Sequence, residues 1–129
     1  MSHWRSGRES ILLDAIISGQ KTIEGRLNRG KFAEYKVGDT ISLRRDIRDG
    51  EGVLRDGEPD AARVEVVAVR HYPDFIQMVT AEGFARVIPT ARGAQEAADE
   101  YNKYYSAEDQ AAYGVLAIEV RYLGAQTGV

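Results

Sequence analysis

The run RVEVVAVRHY at residues 63–72 is the strongest strand signal in the sequence, because β-branched residues are nearly continuous in it. A second strand pattern occupies residues 115–122, where Leu116, Ile118 and Val120 alternate with polar neighbours. The segment between these two strands carries apolar residues at helical spacing. Strands on both sides of helical segments predict a mixed α+β fold.

The first half of the chain predicts further short elements. Ser6-Gly7-Arg8-Glu9 has the form of a capping box, and apolar residues at helical spacing follow it until Gly19. Strand patterns occupy residues 21–27 and 40–44, and residues 46–60 are rich in turn signals, which predicts a hairpin or a mobile excursion. About five short strands joined by antiparallel-type turns favour a small curled sheet or barrel.

The second half predicts helices between its two strands. Phe75, Ile76, Met78 and Val79 recur at helical spacing, and Gly83 is a natural stop. Two more helical segments are predicted at residues 93–105 and, as a short turn, from Ser106 to Gly114.

Length and composition exclude several classes of protein. A chain of 129 residues fits one domain, residues 1–129, that buries roughly two-thirds of its unfolded surface. There are no cysteines, which excludes disulfides, thiolate metal sites and a thiol nucleophile, and His3 and His71 lie far apart. We therefore expect no metal or other cofactor. No apolar run approaches the roughly 20 residues of a membrane span, and the N-terminus lacks a signal-peptide core, so we expect a cytoplasmic protein with no membrane partner.

Charge is distributed unevenly along the chain. The net charge is −3, but residues 21–48 hold eight Lys or Arg against four Asp or Glu. Residues 49–82 hold three against eight. One basic segment in an acidic chain indicates either a local anion site or a solvated charged surface.

The basic segment also carries a recognisable motif. Gly19-x-Lys21-x-x-Glu24-x-Arg26 resembles the G-x-K-x-x-E-x-R signature of ASCH domains, which are related to PUA domains. Further features agree in order: Lys36-Val37-Gly38-Asp39, then Tyr101-x-x-Tyr104-Tyr105-Ser106, and Gly114 to Ile118 in the last strand. The resemblance implies a PUA-like β-barrel of about five to six strands flanked by α-helices, with a cleft where the signature strand meets the barrel.

The resemblance also implies function. Family members are associated with RNA binding; some small bacterial members are ribonucleases, and others remove the acetyl group from N4-acetylcytidine. The deacetylating members carry threonine where this sequence has Glu24, which puts a threonine-nucleophile scheme in doubt. Thr22 is close in sequence, but on a strand it faces the side opposite Lys21.

Three residues are predicted to be catalytic: Lys21, Glu24 and Ser106. Lys21 could hold a phosphate or, with its pKa lowered by burial, activate a nucleophile; the structural alternative is a pair with Glu24. Glu24 could act as general base or accept hydrogen bonds from a base edge, and its alternative is a salt bridge to Arg26. Ser106 lines the cleft in the resemblance, but it is also a plausible helix N-cap followed by acidic residues.

Four residues are predicted to bind substrate. Arg26 is suited to a bidentate grip on phosphate or carboxylate, and Lys31 would attract an anionic ligand. Tyr104 and Tyr105 could stack on a base, although helical spacing fits core packing equally well, so one of the pair is expected to point inward.

These residues predict a protein that acts on RNA or a modified nucleoside, as a metal-independent ribonuclease or an N4-acylcytidine amidohydrolase. The alternative is a non-catalytic RNA- or nucleotide-binding module. A third possibility is an accessory domain whose acidic faces contact a protein partner.

Overall fold

The computed structural model describes residues 1–124, and its strands pair into one six-stranded sheet. The strand order is β1-β3-β5-β6-β2, with β4 paired to β3. β1 and β3 are parallel and all other pairs are antiparallel. The strands are β1 His3–Glu9, β2 Ile23–Leu27, β3 Thr40–Arg48, β4 Leu54–Asp56, β5 Ala62–Tyr72 and β6 Val115–Gly124.

Within residues 1–124, five α-helices and one 3₁₀ helix accompany the sheet, so the predicted mixed α+β class is confirmed. Four of the α-helices, α2 to α5, follow one another between β5 and β6. The helices are α1 Ser10–Ser18, α2 Phe75–Glu82, α3 Phe84–Val87, α4 Ala94–Asn102 and α5 Ala107–Tyr113, and the 3₁₀ helix is Gly30–Glu34. Residues 125–129 of the predicted domain lie outside the described residues. No helix within residues 1–124 is long and apolar enough to cross a bilayer.

The sheet curls but does not close, so the expected barrel is not confirmed. β1 and β2 lie at the two ends of the strand order, and no backbone pairing joins them within residues 1–124. A side-chain bridge spans the gap instead: Arg8 of β1 donates from Nε to Oε1 of Glu24 on β2 at 2.9 Å. The open seam between β1 and β2 is where the candidate site lies.

The sheet separates two hydrophobic cores, and β6 contributes to both. Leu116, Ile118 and Val120 pack in the core that α1 covers, with Leu13 and Ile16. The intervening residues Val115 and Ala117 pack in the other core, against α2 and α4. The alternation that predicted this strand therefore places apolar side chains on both faces, as expected for a central strand.

Most predicted elements are confirmed, including the helix that ends at Gly19, the hairpin within residues 46–60 and the helices between the long strands. Gly19 adopts the left-handed conformation (φ 84°) that ends α1. The prediction of a helix capping box at Ser6–Glu9 was wrong. Ser6 to Glu9 belong to β1, the Ser6 hydroxyl accepts a hydrogen bond from Arg8, and α1 begins after Glu9 without a side-chain cap. β1, α3 and the 3₁₀ helix were not predicted.

The Lys36–Asp39 motif fixes the start of β1. The buried Asp39 carboxylate accepts hydrogen bonds from the backbone N–H of Ser2, from Trp4 Nε1 and from the backbone N–H of Lys36. Three donors on one carboxylate outweigh its burial and lower the pKa of Asp39. The motif thus anchors β1 against the edge of β3.

Candidate functional site

A cleft of about 500 Å³ opens at the seam between β1 and β2. Its walls are formed by the end of β1, the signature strand β2, the β3–β4 hairpin, and the tyrosines at the end of α4 and just after it. It brings together five of the seven residues that the sequence predicted. They are Lys21, Glu24, Arg26, Tyr104 and Tyr105.

Lys21 precedes β2 and is only 2% exposed. Its Nζ donates to the backbone carbonyl of Ile23 at 2.8 Å and to that of Val87 at the end of α3. It forms no ion pair with any described carboxylate, so the direct pair with Glu24 is not made. Burial lowers the pKa of Lys21 to about 8, with Arg8 and Arg26 adding to the effect and Glu24 opposing it. A neutral amine donates its two hydrogens to the two carbonyls and keeps one lone pair.

Glu24 is 6% exposed and is held by Arg8 rather than by Arg26. Burial alone would raise the pKa of Glu24, but Arg8, Lys21 and Arg26 outweigh it and lower the pKa to about 2. A carboxylate of such low basicity is a weak general base near neutral pH. The sequence did not predict the role of Arg8, because Ser6–Glu9 was assigned to a helix cap. In a strand, residues two apart share a face, so a strand assignment would have placed Arg8 on the inward face together with Trp4 and Ser6.

Arg26 keeps its charge in the cleft wall. Burial would lower its pKa, but Glu24 and the neighbouring Tyr105 hydroxyl outweigh burial and raise it. Its guanidinium carbon lies 4.7 Å from the centre of the Phe32 ring. The buried Nε has no hydrogen-bond partner within residues 1–124, so the wall contains a charged donor with spare capacity.

Tyr101 and Tyr105 form an aromatic wall with Phe75. The Tyr101 ring stacks on Phe75 at 4.3 Å between centroids, and the Tyr105 ring does so at 5.3 Å. Gly25 of β2 permits this approach, because a Cβ there would come within 2.7 Å of Tyr101 Cζ. Tyr104 instead lies at the cleft rim and is 75% exposed. Of the predicted pair, Tyr105 thus points inward and Tyr104 does not. Tyr101 also lines the cleft; it was not predicted as a site residue, although it is the first tyrosine of the Tyr101-x-x-Tyr104-Tyr105 motif.

Lys31 and Ser106 do not line this cleft. Lys31 follows β2 in the 3₁₀ helix, and its Nζ donates to the backbone carbonyl of Arg5 at 2.7 Å, beside a second hollow. Ser106 is exposed and caps α5, its hydroxyl accepting from the backbone N–H of Asp109 at 3.0 Å. Its predicted catalytic role stays a prediction without support from this geometry. The Thr22 hydroxyl accepts a hydrogen bond from Arg86 Nε at 3.3 Å, and Thr22 lies away from the cleft.

Comparison with known proteins finds a family model and solved structures that are similar to this chain. A model of the ASCH domain matches residues 12–123. Hypothetical protein PH0355, known from a crystal structure, has 29% sequence identity to this chain. The match covers 95% of this chain and 100% of that protein's chain, with a TM-score of 0.77. The solution structure of protein PF0455 from Pyrococcus furiosus is 32% identical and covers 94% of this chain and 97% of its own, with a TM-score of 0.72.

A third structure shows the same fold at low identity. It is a ZmASCH mutant protein from Zymomonas mobilis, 12% identical, with a TM-score of 0.57 over 91% of this chain and 67% of its own. No curated protein matches the chain.

Proposed function

This chain belongs to the ASCH domain family, and on that premise we propose that its cleft binds a modified cytidine and hydrolyses the amide at N4. The protein would then be an N4-acylcytidine amidohydrolase that needs no metal. The observation that carries the proposal is Lys21: a buried amine, held by two backbone carbonyls, that no described carboxylate neutralises by contact.

The cleft suits a ligand of this size and chemistry. Its volume of about 500 Å³ lies within the 300–1,000 Å³ that small-molecule sites usually have. Tyr101 and Tyr105 offer apolar surface for a base, and Glu24 Oε2 has no hydrogen-bond partner within the described chain. That oxygen can accept a hydrogen bond from the N4–H of the substrate.

Lys21 supplies the proton transfers. In its neutral form it accepts a proton from water while the water oxygen attacks the acyl carbon. The lysyl ammonium then gives that proton to N4 as the C–N bond breaks, so water and the amide become a carboxylic acid and cytidine. Arg26, which keeps its positive charge in the cleft wall, can stabilise the oxyanion of the tetrahedral intermediate.

Lys21 is better suited to this task than the alternatives. General bases work best when their pKa lies near the working pH, and a pKa of about 8 meets that condition where the value of about 2 for Glu24 does not. Thr22 cannot serve as nucleophile from the opposite side of the strand. Water is therefore the proposed nucleophile.

Ribonuclease chemistry receives less support from the same residues. In-line displacement at phosphorus requires a base and an acid on opposite sides of the reacting atom. Lys21 can carry one proton, and neither histidine lines the cleft. Amide hydrolysis needs only one group that takes a proton and returns it on the same side.

A cleft that binds RNA without catalysis is the second candidate. The observation that favours it is the exposed ring of Tyr104 at the rim, which offers a stacking surface next to a charged wall. Such stacking contributes about 1–3 kcal/mol per base.

Release of acetate from N4-acetylcytidine by the purified protein tests the proposal. We expect Lys21→Met to lower kcat at least about 100-fold, since general acid–base catalysis contributes about 10²–10⁴-fold. The matched control is Lys36→Met, which changes an exposed lysine outside the cleft. Both variants are checked for folding by circular dichroism.

Two results would decide against the hydrolase. One is acetate release by Lys21→Met at the wild-type rate. The other is no release by the wild-type protein while a short RNA binds, which selects the binding module.

A further inference from the structure

His3, Thr40 and Ser42 form a hydrogen-bonded row, the His3 row, where β1 lies beside β3. The parallel register pairs His3 with Thr40 and Arg5 with Ser42. Partners in register share a face of the sheet, so the His3 ring lies beside both hydroxyls of β3. Its Nδ1 lies 2.7 Å from Thr40 Oγ1, and its Nε2 lies 3.0 Å from Ser42 Oγ. One ring therefore bridges two hydroxyl groups.

The His3 row has the arrangement that activates a serine for nucleophilic attack. A serine nucleophile needs a base within about 2.6–3.2 Å, and the base needs a third group that orients it. The His3 tautomer with its proton on Nδ1 donates to Thr40 and leaves Nε2 to accept from Ser42. In this arrangement Ser42 is the nucleophile, His3 is the base and Thr40 orients the base.

The attachment of β1 to the sheet does not depend on the His3 ring. β1 is paired with β3 along its whole length, from His3–Thr40 to Glu9–Asp46. The Asp39 carboxylate also anchors the start of the strand through Ser2 and Trp4. Substitution of an exposed side chain usually changes stability by no more than about 0.5 kcal/mol. A purely structural role therefore gives little reason for the His3 row.

Ser42 lines a second hollow, of about 250 Å³, that lies beside the cleft across β1. Ser42 is only 3% exposed, so a ligand reaches it through this hollow. His3 is exposed, so the base can exchange its proton with solvent. The volume lies below the 300–1,000 Å³ that small-molecule sites usually have, which favours a small acyl group.

The second hollow is also lined by cations. Arg44 is engaged by Asp46 and Asp56, which leaves Arg5 and Lys31 as the available cations. Lys31 uses one ammonium hydrogen on the Arg5 carbonyl and keeps two for another acceptor. The carboxylate that lines the hollow is that of Asp60. Two cations against this one carboxylate favour a ligand with a single negative charge.

The position of Arg5 indicates where that charge lies. Arg5 is the register partner of Ser42, and neighbouring strands lie about 4.8 Å apart. A carboxylate that two methylene groups separate from an ester carbonyl spans a comparable distance. Arg5 can therefore hold such a carboxylate while Ser42 attacks the carbonyl carbon.

We propose that Ser42 and His3 form a second hydrolytic site, a serine esterase for small esters whose acyl part carries a carboxylate. Arg5 binds the carboxylate, and Lys31 stabilises the oxyanion that forms at the ester carbonyl. This activity is separate from the amide hydrolysis proposed for the cleft, because it uses another nucleophile, another base and another hollow.

The reaction proceeds in two balanced steps. Ser42 Oγ bonds to the carbonyl carbon while its proton passes to His3 Nε2, and the alcohol leaves with that proton. The acyl group then remains on Ser42. Water gives a proton to His3 as its oxygen bonds to the acyl carbon, and Ser42 Oγ leaves and regains a proton from His3. Ester and water thus become acid and alcohol.

Covalent labelling with an ethyl fluorophosphonate probe tests for an activated serine without the natural ester. The Ser42 oxygen displaces fluoride from phosphorus, and the protein gains one phosphonyl group. Mass spectrometry should locate this group on Ser42 in the tryptic peptide of residues 37–44. Fragment ions distinguish Ser42 from Thr40 within that peptide. The labelling uses the wild-type protein, so it does not depend on the folding of any variant.

Three variants test the role of the base. His3→Ala should slow the labelling at least about 100-fold, because general base catalysis contributes about 10²–10⁴-fold. Thr40→Val removes the oxygen that orients the ring and should slow the labelling less than His3→Ala does. The matched control is His71→Ala, which changes an exposed histidine outside the second hollow and should be labelled at the wild-type rate.

Turnover of 4-nitrophenyl hemisuccinate and 4-nitrophenyl acetate tests the charge of the substrate. Arg5→Ala should lower the ratio of the two kcat/KM values about tenfold, as expected for loss of a charge-assisted hydrogen bond. The variant keeps the backbone carbonyl that accepts from Lys31. Arg92→Ala, at an exposed position outside the hollow, is the control.

Absence of a phosphonyl group on Ser42 overturns the inference. Labelling of His3→Ala at the wild-type rate does so as well, because the His3 row would then be only a contact between strands. An unchanged ratio in Arg5→Ala overturns the substrate class. Since the label reports on Ser42 itself, failure of this site and failure of acetate release in the cleft are distinguishable.

Discussion

Within residues 1–124, a partly exposed ionic cluster around Glu82 and a more deeply buried one in the cleft use charge differently. The Glu82 cluster contains Arg70, Tyr72, Glu82 and Glu119 and joins α2 to β5 and β6. Arg70 donates to both oxygens of Glu82 at 2.6 Å and to Glu119 at 2.7 Å, and the Tyr72 hydroxyl donates to Glu82 at 2.6 Å. The cleft cluster contains Arg8, Lys21, Glu24 and Arg26, with three cations against one carboxylate.

The two clusters differ in how many of their polar atoms have a hydrogen-bond partner within the cluster. In the Glu82 cluster both carboxylate oxygens of Glu82 accept hydrogen bonds, and these hydrogen bonds lower the pKa of Glu82 although burial would raise it. In the cleft cluster Arg26 Nε has no partner within residues 1–124, and Lys21 has a pKa well below its ordinary value. A satisfied cluster fastens a helix to a sheet, whereas an unsatisfied one keeps donors for a ligand.

Removing the central carboxylate from each cluster should give the largest contrast. Glu24→Gln leaves Arg8, only 4% exposed, without its counter-charge, and breaking such a buried pair costs about 3–5 kcal/mol. Glu82→Gln should cost less, because Arg70 is 38% exposed and keeps Glu119. Urea unfolding at pH 7 measures both losses. A larger loss for Glu82→Gln would reverse the comparison.

The pH dependence of stability should sharpen the contrast next. Unfolded Lys21 keeps its proton up to about pH 10.5, whereas the folded protein releases it near pH 8. Folding therefore releases a proton between these values, and raising the pH stabilises the native state there, by about 3 kcal/mol in total at 1.36 kcal/mol per pKa unit.

The matched comparison is wild type against Lys21→Met, unfolded in urea at intervals from pH 7.5 to 10.5. The wild-type free energy of unfolding should rise relative to the variant over this range, because the methionine has no proton to release. Parallel curves would mean that the folded Lys21 titrates as an ordinary lysine.

The smallest effect is expected from Tyr72→Phe. This change removes one hydrogen bond to Glu82 while Arg70 still binds both carboxylate oxygens, so stability should fall by about 1 kcal/mol. Acetate release should stay at the wild-type rate, since the Glu82 cluster does not line the cleft. Loss of turnover with little loss of stability would show that the two clusters are coupled.

The sequence was sufficient to predict those features whose positions follow from a local pattern of residues. Lys21, Glu24 and Arg26 follow from the signature on a recognisable strand, and the helix that ends at Gly19 follows from spacing. Arg8 did not, because its partner depends on the parallel pairing of β1 with β3 and on the meeting of the two sheet edges. No local pattern encodes these long-range contacts, and Ser6–Glu9 happened to match a helix cap.

Long-range placement also explains the two predicted residues that lie outside the cleft. Lys31 was expected to serve the same ligand as Lys21, but the 3₁₀ helix carries it to the other side of β1. Ser106 caps α5, which is the alternative that the acidic residues after it had indicated. The neighbouring residues were enough to indicate the capping role of Ser106, whereas the position of Lys31 could not be predicted without the tertiary structure.

The pH dependence of kcat/KM for N4-acetylcytidine hydrolysis tests most directly whether Lys21 is the base. If Lys21 is the base, log kcat/KM rises with unit slope and levels off above a pH of about 8, because only the neutral amine accepts a proton from water. A profile that is flat between pH 6 and 9, or that falls as the pH rises, would contradict it.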